Sequence, residues 1–526
     1  RKKERTGPVT IMHYTITPPG LPSRRIACTT PATMNAAAMV ENEGRFTRAL
    51  QGTFMQQPLQ ALLGLLGTQE PARTTILDGS FQCPPIPENP YTATLLKVLE
   101  IPEHVERLTP KAIGWTEQEL LQSWRHCNSK TSSESSNLNF AHHIAGTYNR
   151  TVLEVDCTLV TVPFEMGFSP KQWEIMEDLE LFKKAGVTDL EQMRTIKLMV
   201  AAYNMNNKRL GRLTMQQAEK HNLLPKEQYG SRKRHKAINC LLNKVLIWDL
   251  SRQLCWAIAC LCNDAEKCYD YMIHNFTSLC MQSTGMPPEP ISAMFLTLQN
   301  ASNYIKTAFG KSQDWYGGKK RWQARLLPLM GPGQGNGAAP TAYGMLSSMI
   351  IKVMLILGFG ATFPMAISIT VISVICSMFV DDCDLWQTAR SCNDPGETVS
   401  PIMQRAADAW EGCLSATGRA ISPSKSFWYL VDYTWTGTEW RYRTNEEMSA
   451  QLLMKDGLGT RHVLARHEPD HAEKTLGAHT APDGSMEGWH EDAAGERIPT
   501  GEIPYLASKI TSFVQAIRSA RNTAKN

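Results

Sequence analysis

The ten residues Val371 to Val380 (VISVICSMFV) are apolar and rich in β-branched side chains, the composition of a buried strand. They end on two adjacent carboxylates, Asp381 and Asp382, and a second short run follows, Cys383 to Trp386. Strand, acidic pair and strand describe a hairpin that holds two negative charges at its tip. Packing gives no reason for that arrangement, because like charges side by side repel and desolvation penalises both. A bound divalent cation does give one. Standing alone, an Asp-Asp step reads more simply as a solvated turn, so its companions decide the matter.

A chain of 526 residues supports two to four domains. With a net charge of only +4 there is no blanket basic surface, so any nucleic-acid contact has to be local. The 14 cysteines are scattered, mostly through apolar stretches, and read as reduced core thiols of an intracellular protein, nuclear or cytoplasmic and not secreted. Cys260, Cys262 and Cys268 lack the paired spacing of a zinc site, and no knuckle-type Cys/His run occurs. The chain opens on Arg1 without a signal peptide behind it, which reads as a fragment of a longer product. Its first five residues, RKKER, suit either part of a nuclear-import signal or a solvated charged end. From Val353 to Val380 no residue is charged, a length that could span a bilayer. Gly358, Gly360 and Pro364 interrupt it, its second half is β-branched, and no basic flank follows, so buried core is expected and not a membrane partner.

Residues 1–160 are poorly periodic and form an N-terminal extension, partly flexible, with a serine-rich loop at Lys130 to Asn139. Helical spacing is clear at Ile238, Leu241, Leu242, Val245 and Trp248, and Cys255 to Cys262 reads as a buried strand ending at Asn263-Asp264. Ser400-Pro401 offers an N-cap and first-turn proline to a stripe of Ile402, Met403, Ala406, Ala407, Trp410, Cys413 and Leu414, which Gly418 closes. Aromatic-rich strands follow at Ser426 to Trp435 and Glu439 to Tyr442. The last 70 residues are charged and loop-rich, with a basic helix candidate from Ala507 to Arg521. This order predicts an α+β fold whose antiparallel sheet carries acidic residues at the ends of two neighbouring strands.

Asp264 follows its strand as Asp381 does. If those strands are neighbours, Asp264, Asp381 and Asp382 converge, and all-oxygen ligation suits two Mg²⁺ or Mn²⁺ ions of the kind that serve phosphoryl transfer. Alone, Asp264 reads equally well as a helix N-cap. The turn Gly331 to Gly337 (GPGQGNG) before a helix-like stretch lets backbone approach a ligand, although such turns are more often plain loops. Lys425 could protonate a departing pyrophosphate; taken singly it is a solvated lysine.

Read in order, these runs resemble a reverse transcriptase of the non-LTR retrotransposon type, similar to elements common in protist genomes, over roughly residues 130–480. Arg194-Thr195-Ile196 is similar to the family's fingers motif, Gln228 to Arg232 (QYGSR) to its QYG element, and Asp264 to Asp270 to the first palm motif. Gln334 to Gly337 resembles the Gln-Gly motif, Phe379 to Asp382 the F/Y-x-D-D box, Ser422 to Lys425 the lysine motif, and Leu476-Gly477 the later LG element. The resemblance implies a right-hand polymerase with fingers at 161–250, a palm at 251–445 and a partial thumb in 446–526. It implies an RNA-directed DNA polymerase, a nucleotidyltransferase that extends a primer 3′-hydroxyl on an RNA template with deoxynucleoside triphosphates. Asp264, Asp381 and Asp382 would be the catalytic carboxylates, with Asp264 and Asp381 the principal ligands of two Mg²⁺ (or Mn²⁺) ions. Lys425 would act on the leaving group. Tyr269 would be the steric gate against a ribose 2′-hydroxyl, Gln334 and Gly335 would line the nucleotide pocket, and Arg194 would meet the triphosphate. Taken singly, Tyr269 is a core aromatic and Arg194 a surface charge. Thr195 stands where most members have proline, and Arg419 where close relatives tend to have glycine. No endonuclease or RNase H signature accompanies the set. The alternative is a retroelement remnant that binds nucleic acid without polymerising.

Overall fold

Hydrophobic alternation and ladder pairing organise the chain around two sheets, one in each of two compact units. The computed structural model describes residues 9–16, 23–183, 186–364, 370–485, 489–491 and 497–499, with 510, 511 and 515. The first unit takes in residues 1–224, 267–349 and 415–419, and the second 225–266, 350–414 and 420–526. Neither is contiguous, so the segment boundaries read near 160, 250 and 445 do not coincide with the points where the chain passes between units. Secondary structure mixes α and β, and both principal sheets are mixed, in keeping with the α+β expectation.

In the first unit the strand Ile175–Leu181 pairs antiparallel with Arg194–Leu198 and parallel with Ser302–Thr307, whose other neighbour is Gly310–Gly317. The helix Pro31–Arg48 starts on a capping box between Thr30 and Thr33, with proline in its first turn. Its Met34, Ala38 and Phe46 join a core with Ile305 and Tyr316. The N-terminal extension is therefore largely helical: Arg150–Met166, for example, is capped by Asn149 and stopped by a left-handed Gly167. The serine-rich stretch is not a free loop. Glu134 is buried at its centre, accepts from the Ser136 amide at 2.8 Å, and pairs with Lys311 at 3.1 Å, while its own amide donates to the Met199 carbonyl.

A polar network lies inside this unit. Asn42 donates to Glu180 at 2.8 Å, Arg45 donates to the Thr195 hydroxyl at 2.8 Å, and that hydroxyl lies 3.0 Å from Glu180. Proline at 195 could do none of this, which accounts for the threonine. Burial raises the Glu180 carboxyl to about 7, with Arg45 and Asn42 only partly offsetting it. A folded-state value above the unfolded one gives stability that is present below pH ~4 and lost as pH climbs through 7. Glu180→Gln should therefore gain on the wild type by ~2–3 kcal/mol between pH 4 and pH 8 in paired urea titrations, and parallel stability curves would exclude this origin.

The second unit is built on Ile258–Glu266. Asp382–Thr388 and Phe427–Val431 flank it antiparallel, Cys376–Phe379 lies outside the former, and Ala465–His467 runs parallel to the latter. The helix Ala237–Leu254 covers one face, with Trp248 edge-on to Trp386 and Tyr429 at ring separations of 4.9 and 5.9 Å. The helix Val399–Ala416 contributes Trp410, which donates to Asn263 at 3.1 Å on the opposite face.

Several boundaries differ from expectation. The run Val371 to Val380 is two strands: Val371–Val374 pairs with Ala361–Pro364 in a separate hairpin, and only Cys376–Phe379 enters the main sheet. Cys255 is not in a strand but caps the preceding helix in the left-handed region, with φ 45°. The strand then extends through Asp264 to Glu266, because Ala420–Ile421 pairs with its far end. The next helix begins at Val399, so Ser400 is inside it. The region after 445 holds short antiparallel hairpins, among them Glu473–Thr475 with Ala478–Thr480. The basic helix candidate Ala507 to Arg521 lies outside the described residues apart from 510, 511 and 515. All fourteen cysteines are free, and ten of them are buried. Among the described residues one helix, Ala339–Ile356, is long and apolar enough to cross a membrane, and it is mostly buried within the protein.

Candidate acidic site on the second unit

Antiparallel pairing fixes the central geometry. Asp382 lies directly opposite Asp264, and Asp384 opposite Cys262, so Asp264, Asp382 and Asp384 share one face of the sheet. Asp381 occupies the two-residue turn between Phe379 and Asp382. Val380, the other turn residue, has φ 61°, a left-handed conformation that a β-branched side chain resists.

What holds the turn in that shape is the QYG element. The Met378 amide donates to the Glu227 carbonyl at 3.0 Å, and the Tyr229 amide donates back to Met378 at 2.8 Å. Gly230 then passes against Val380, where a Cβ would collide with the Val380 backbone. Arg232 ties the element together by donating to the Pro225 and Gln228 carbonyls at 3.0 and 3.1 Å. A motif read only as a family marker is thus a brace for the acidic turn.

Asp382 keeps an open side toward solvent, yet protein crowds its sheet side. That partial desolvation comes first, repulsion from Asp381, Asp384 and Asp264 next, and together they raise its carboxyl to about 6. Lys425, in the short turn Pro423–Lys425, places its ammonium 3.3 Å from Asp264. Asp264, Asp382 and Lys425 border a small cavity that Lys474 and Thr475 also line. The oxygens of Asp264, Asp381 and Asp382 are not drawn into one tight trio. Among the described residues, the sets whose ligand atoms all lie within 4.8 Å of one another are Cys260–Cys262–Asp384 and His467–His471–Glu473. Mutual repulsion and the Lys425 contact both favour the looser arrangement.

Two groups at this site were not singled out in the sequence. Lys244 is buried and pairs with Asp384 at 3.0 Å, and it also lies 3.5 Å from the Cys262 sulfur and 3.2 Å from the Thr475 hydroxyl. Burial opposes its charge, but Asp384 and Cys262 outweigh burial and hold the ammonium well above its ordinary value. A signal for both did exist. Asp384 follows Asp382 by two, the strand period. Lys244 falls within the buried stripe Cys240, Leu241, Ile247, Trp248 and Ser251, at helical spacing from its members.

The remaining expected site residues lie in the first unit. Gln334 bridges to Ile196, and its carbonyl accepts from the Lys197 amide at 2.7 Å, which sets the glycine-rich turn beside the strand that Arg194 opens. Gly335, with φ 112°, is exposed, and its carbonyl accepts from the Asn204 side chain at 3.0 Å; the same side chain accepts from the Gly337 amide at 2.8 Å. Arg194 is exposed. Tyr269 is half-buried, its ring 5.5 Å from that of Tyr343, over which Arg419 places its guanidinium at 5.1 Å. Asp264, Asp381, Asp382 and Lys425 are thus gathered in one unit, and Arg194, Gln334 and Gly335 are gathered in the other. No family model matches the chain, and no curated protein matches it.

Proposed function

We propose that the chain is an RNA-directed DNA polymerase of the non-LTR retrotransposon type, a right-hand polymerase with fingers, palm and partial thumb. The observation that carries the reading is the pairing of Asp264 opposite Asp382, with Asp381 in the adjoining turn and Lys425 against Asp264. Carboxylates more than a hundred positions apart in sequence occupy one sheet end, in the order the motifs require.

The donor set fits a hard divalent cation, since it is all oxygen and its crowding already lifts Asp382 to about 6, an excess of negative charge that a cation relieves. Asp264 and Asp381 would be the principal ligands and Asp382 would complete the set. Mg²⁺ or Mn²⁺, two ions when bound, would supply charge neutralisation at the phosphate oxygens and acidify the primer hydroxyl. Lys425, half-exposed and 3.3 Å from Asp264, is placed to keep a proton available for the leaving pyrophosphate. Gly230 packed against Val380 sets the shape of the turn that carries Asp381, so on this reading the carboxylates are positioned before substrate arrives. On this reading Arg194, Gln334 and Gly335 meet the incoming nucleotide, and Tyr269 excludes a 2′-hydroxyl. Template and primer would be held mainly through their backbones, with strong salt dependence.

The test is extension of a DNA primer on homopolymer RNA with Mg²⁺ and each nucleotide type. Extension with deoxynucleotides supports the proposal. Tight binding of the template–primer with no extension under any metal would replace it with the remnant reading. Tyr269→Val should raise ribonucleotide use relative to deoxynucleotide use by ~10–100-fold, read from single-nucleotide incorporation; an unchanged ratio would remove Tyr269 from the gate.

A further inference from the structure

We propose that His467, His471 and Glu473 form a zinc-type metal site, separate from the acidic pair at the hairpin tip and of different ligand chemistry. Nε2 of His471 lies 3.2 Å and Nε2 of His467 3.6 Å from the same oxygen, Oε1 of Glu473. All three ligand atoms fall within 4.8 Å of one another. With bonds of about 2.0–2.1 Å, neighbouring ligands of a tetrahedral zinc ion stand ~3.3–3.4 Å apart, and the two separations, which also suit a hydrogen bond or ion pair to Glu473, bracket that value. Two imidazoles and one carboxylate suit Zn²⁺, and leave its fourth position to water on the half-exposed side.

The three ligands are anchored independently, as a built site requires. His467 ends the strand Ala465–His467, opposite Tyr429, with its ring 5.0 Å from that of Phe427. His471 is fixed through its backbone, because the buried Tyr429 hydroxyl donates to the His471 carbonyl at 2.9 Å. Glu473 opens the hairpin strand Glu473–Thr475. The two imidazoles stack at 3.9 Å and 11°, and fanning them apart about their side-chain torsions is the adjustment the ion asks for.

The site stands without the polymerase reading; only its consequence rests on that reading. The next two residues, Lys474 and Thr475, border the cavity of Asp264 and Asp382. An ion fixing the loop 467–473 would therefore fix part of the lining of the cavity that Asp264 and Asp382 border.

The experiment is titration of the chelator-treated full chain with Co²⁺ and then Zn²⁺, in excess Mg²⁺ so that the hard carboxylate sites are filled. The wild type should develop the visible absorption of tetrahedral cobalt, and one equivalent of Zn²⁺ should displace it. His467→Gln and Glu473→Gln should each weaken Co²⁺ binding more than about tenfold, with an unchanged circular dichroism spectrum. Asp381→Asn should leave it as it is. Absence of the band in the wild type would overturn the proposal, and so would an equal band in both variants. A sulfur charge-transfer band that survives His467→Gln would place the ion at Cys260 and Cys262 instead. Because the readout is spectroscopic, an inactive polymerase does not affect its outcome.

Discussion

Asp381→Ala should abolish primer extension, by ~10³-fold or more, while leaving the fold intact. The residue sits in a two-residue turn, outside the core, so truncation creates no cavity. It also removes one of the charges that repel Asp382, so the melting temperature should hold or rise. On the two-metal reading the same truncation takes away a ligand whose transition-state stabilisation is several kcal/mol, and each ~1.4 kcal/mol is tenfold in rate. The measurement is single-turnover extension on homopolymer RNA beside a thermal melt. A rate within tenfold of the wild type, in a folded variant, would move the chemistry away from this turn. A matching loss in Asp264→Ala, with no further loss in the double variant, would show the two carboxylates acting as a unit.

The acidic hairpin was legible because its signal is local: an apolar β-branched run, two carboxylates and a return strand leave few alternatives. Its neighbour in the sheet was legible only through motif order, since nothing within Cys255 to Asp264 says which strand it will join. Where the reading failed, tertiary pairing was the reason. Val371–Val374 has the composition of the strand that follows it, but it takes Ala361–Pro364 as its partner in a hairpin of its own. Lys130 to Asn139 has the composition of a solvated loop, and one buried glutamate with a lysine from a distant strand orders it. Thr195 stands where proline was expected and supplies the hydroxyl of a buried network. In each case the deciding partner lies outside the run itself, where periodicity within the run does not reach.

Lys244→Met should cost about 3–5 kcal/mol of stability, the largest effect expected of a residue with no assigned chemistry. The ammonium and the Asp384 carboxylate are both nearly inaccessible, with side-chain exposures of 4% and 10%, and stand 3.0 Å apart. Methionine fills most of the lysine's volume, so the buried packing of the helix survives; what is lost is the ammonium that stands 3.0 Å from Asp384. An unpaired carboxylate is then left on the same face as Asp382 and Asp264. Removing both charges together, as Lys244→Met with Asp384→Leu, should return most of the loss, because two well-packed apolar groups often match a buried ion pair. Urea unfolding of the single and double variants separates the two cases. If the double variant is no more stable than Lys244→Met alone, the lysine acts through its contacts to Cys262 and Thr475 and not as the counter-ion of Asp384. If it is restored, the ion pair itself is what the sheet end must balance. The acidic tip then holds its charge because a buried lysine of the helix Ala237–Leu254 neutralises Asp384, the next carboxylate in the row, two residues along the strand from Asp382.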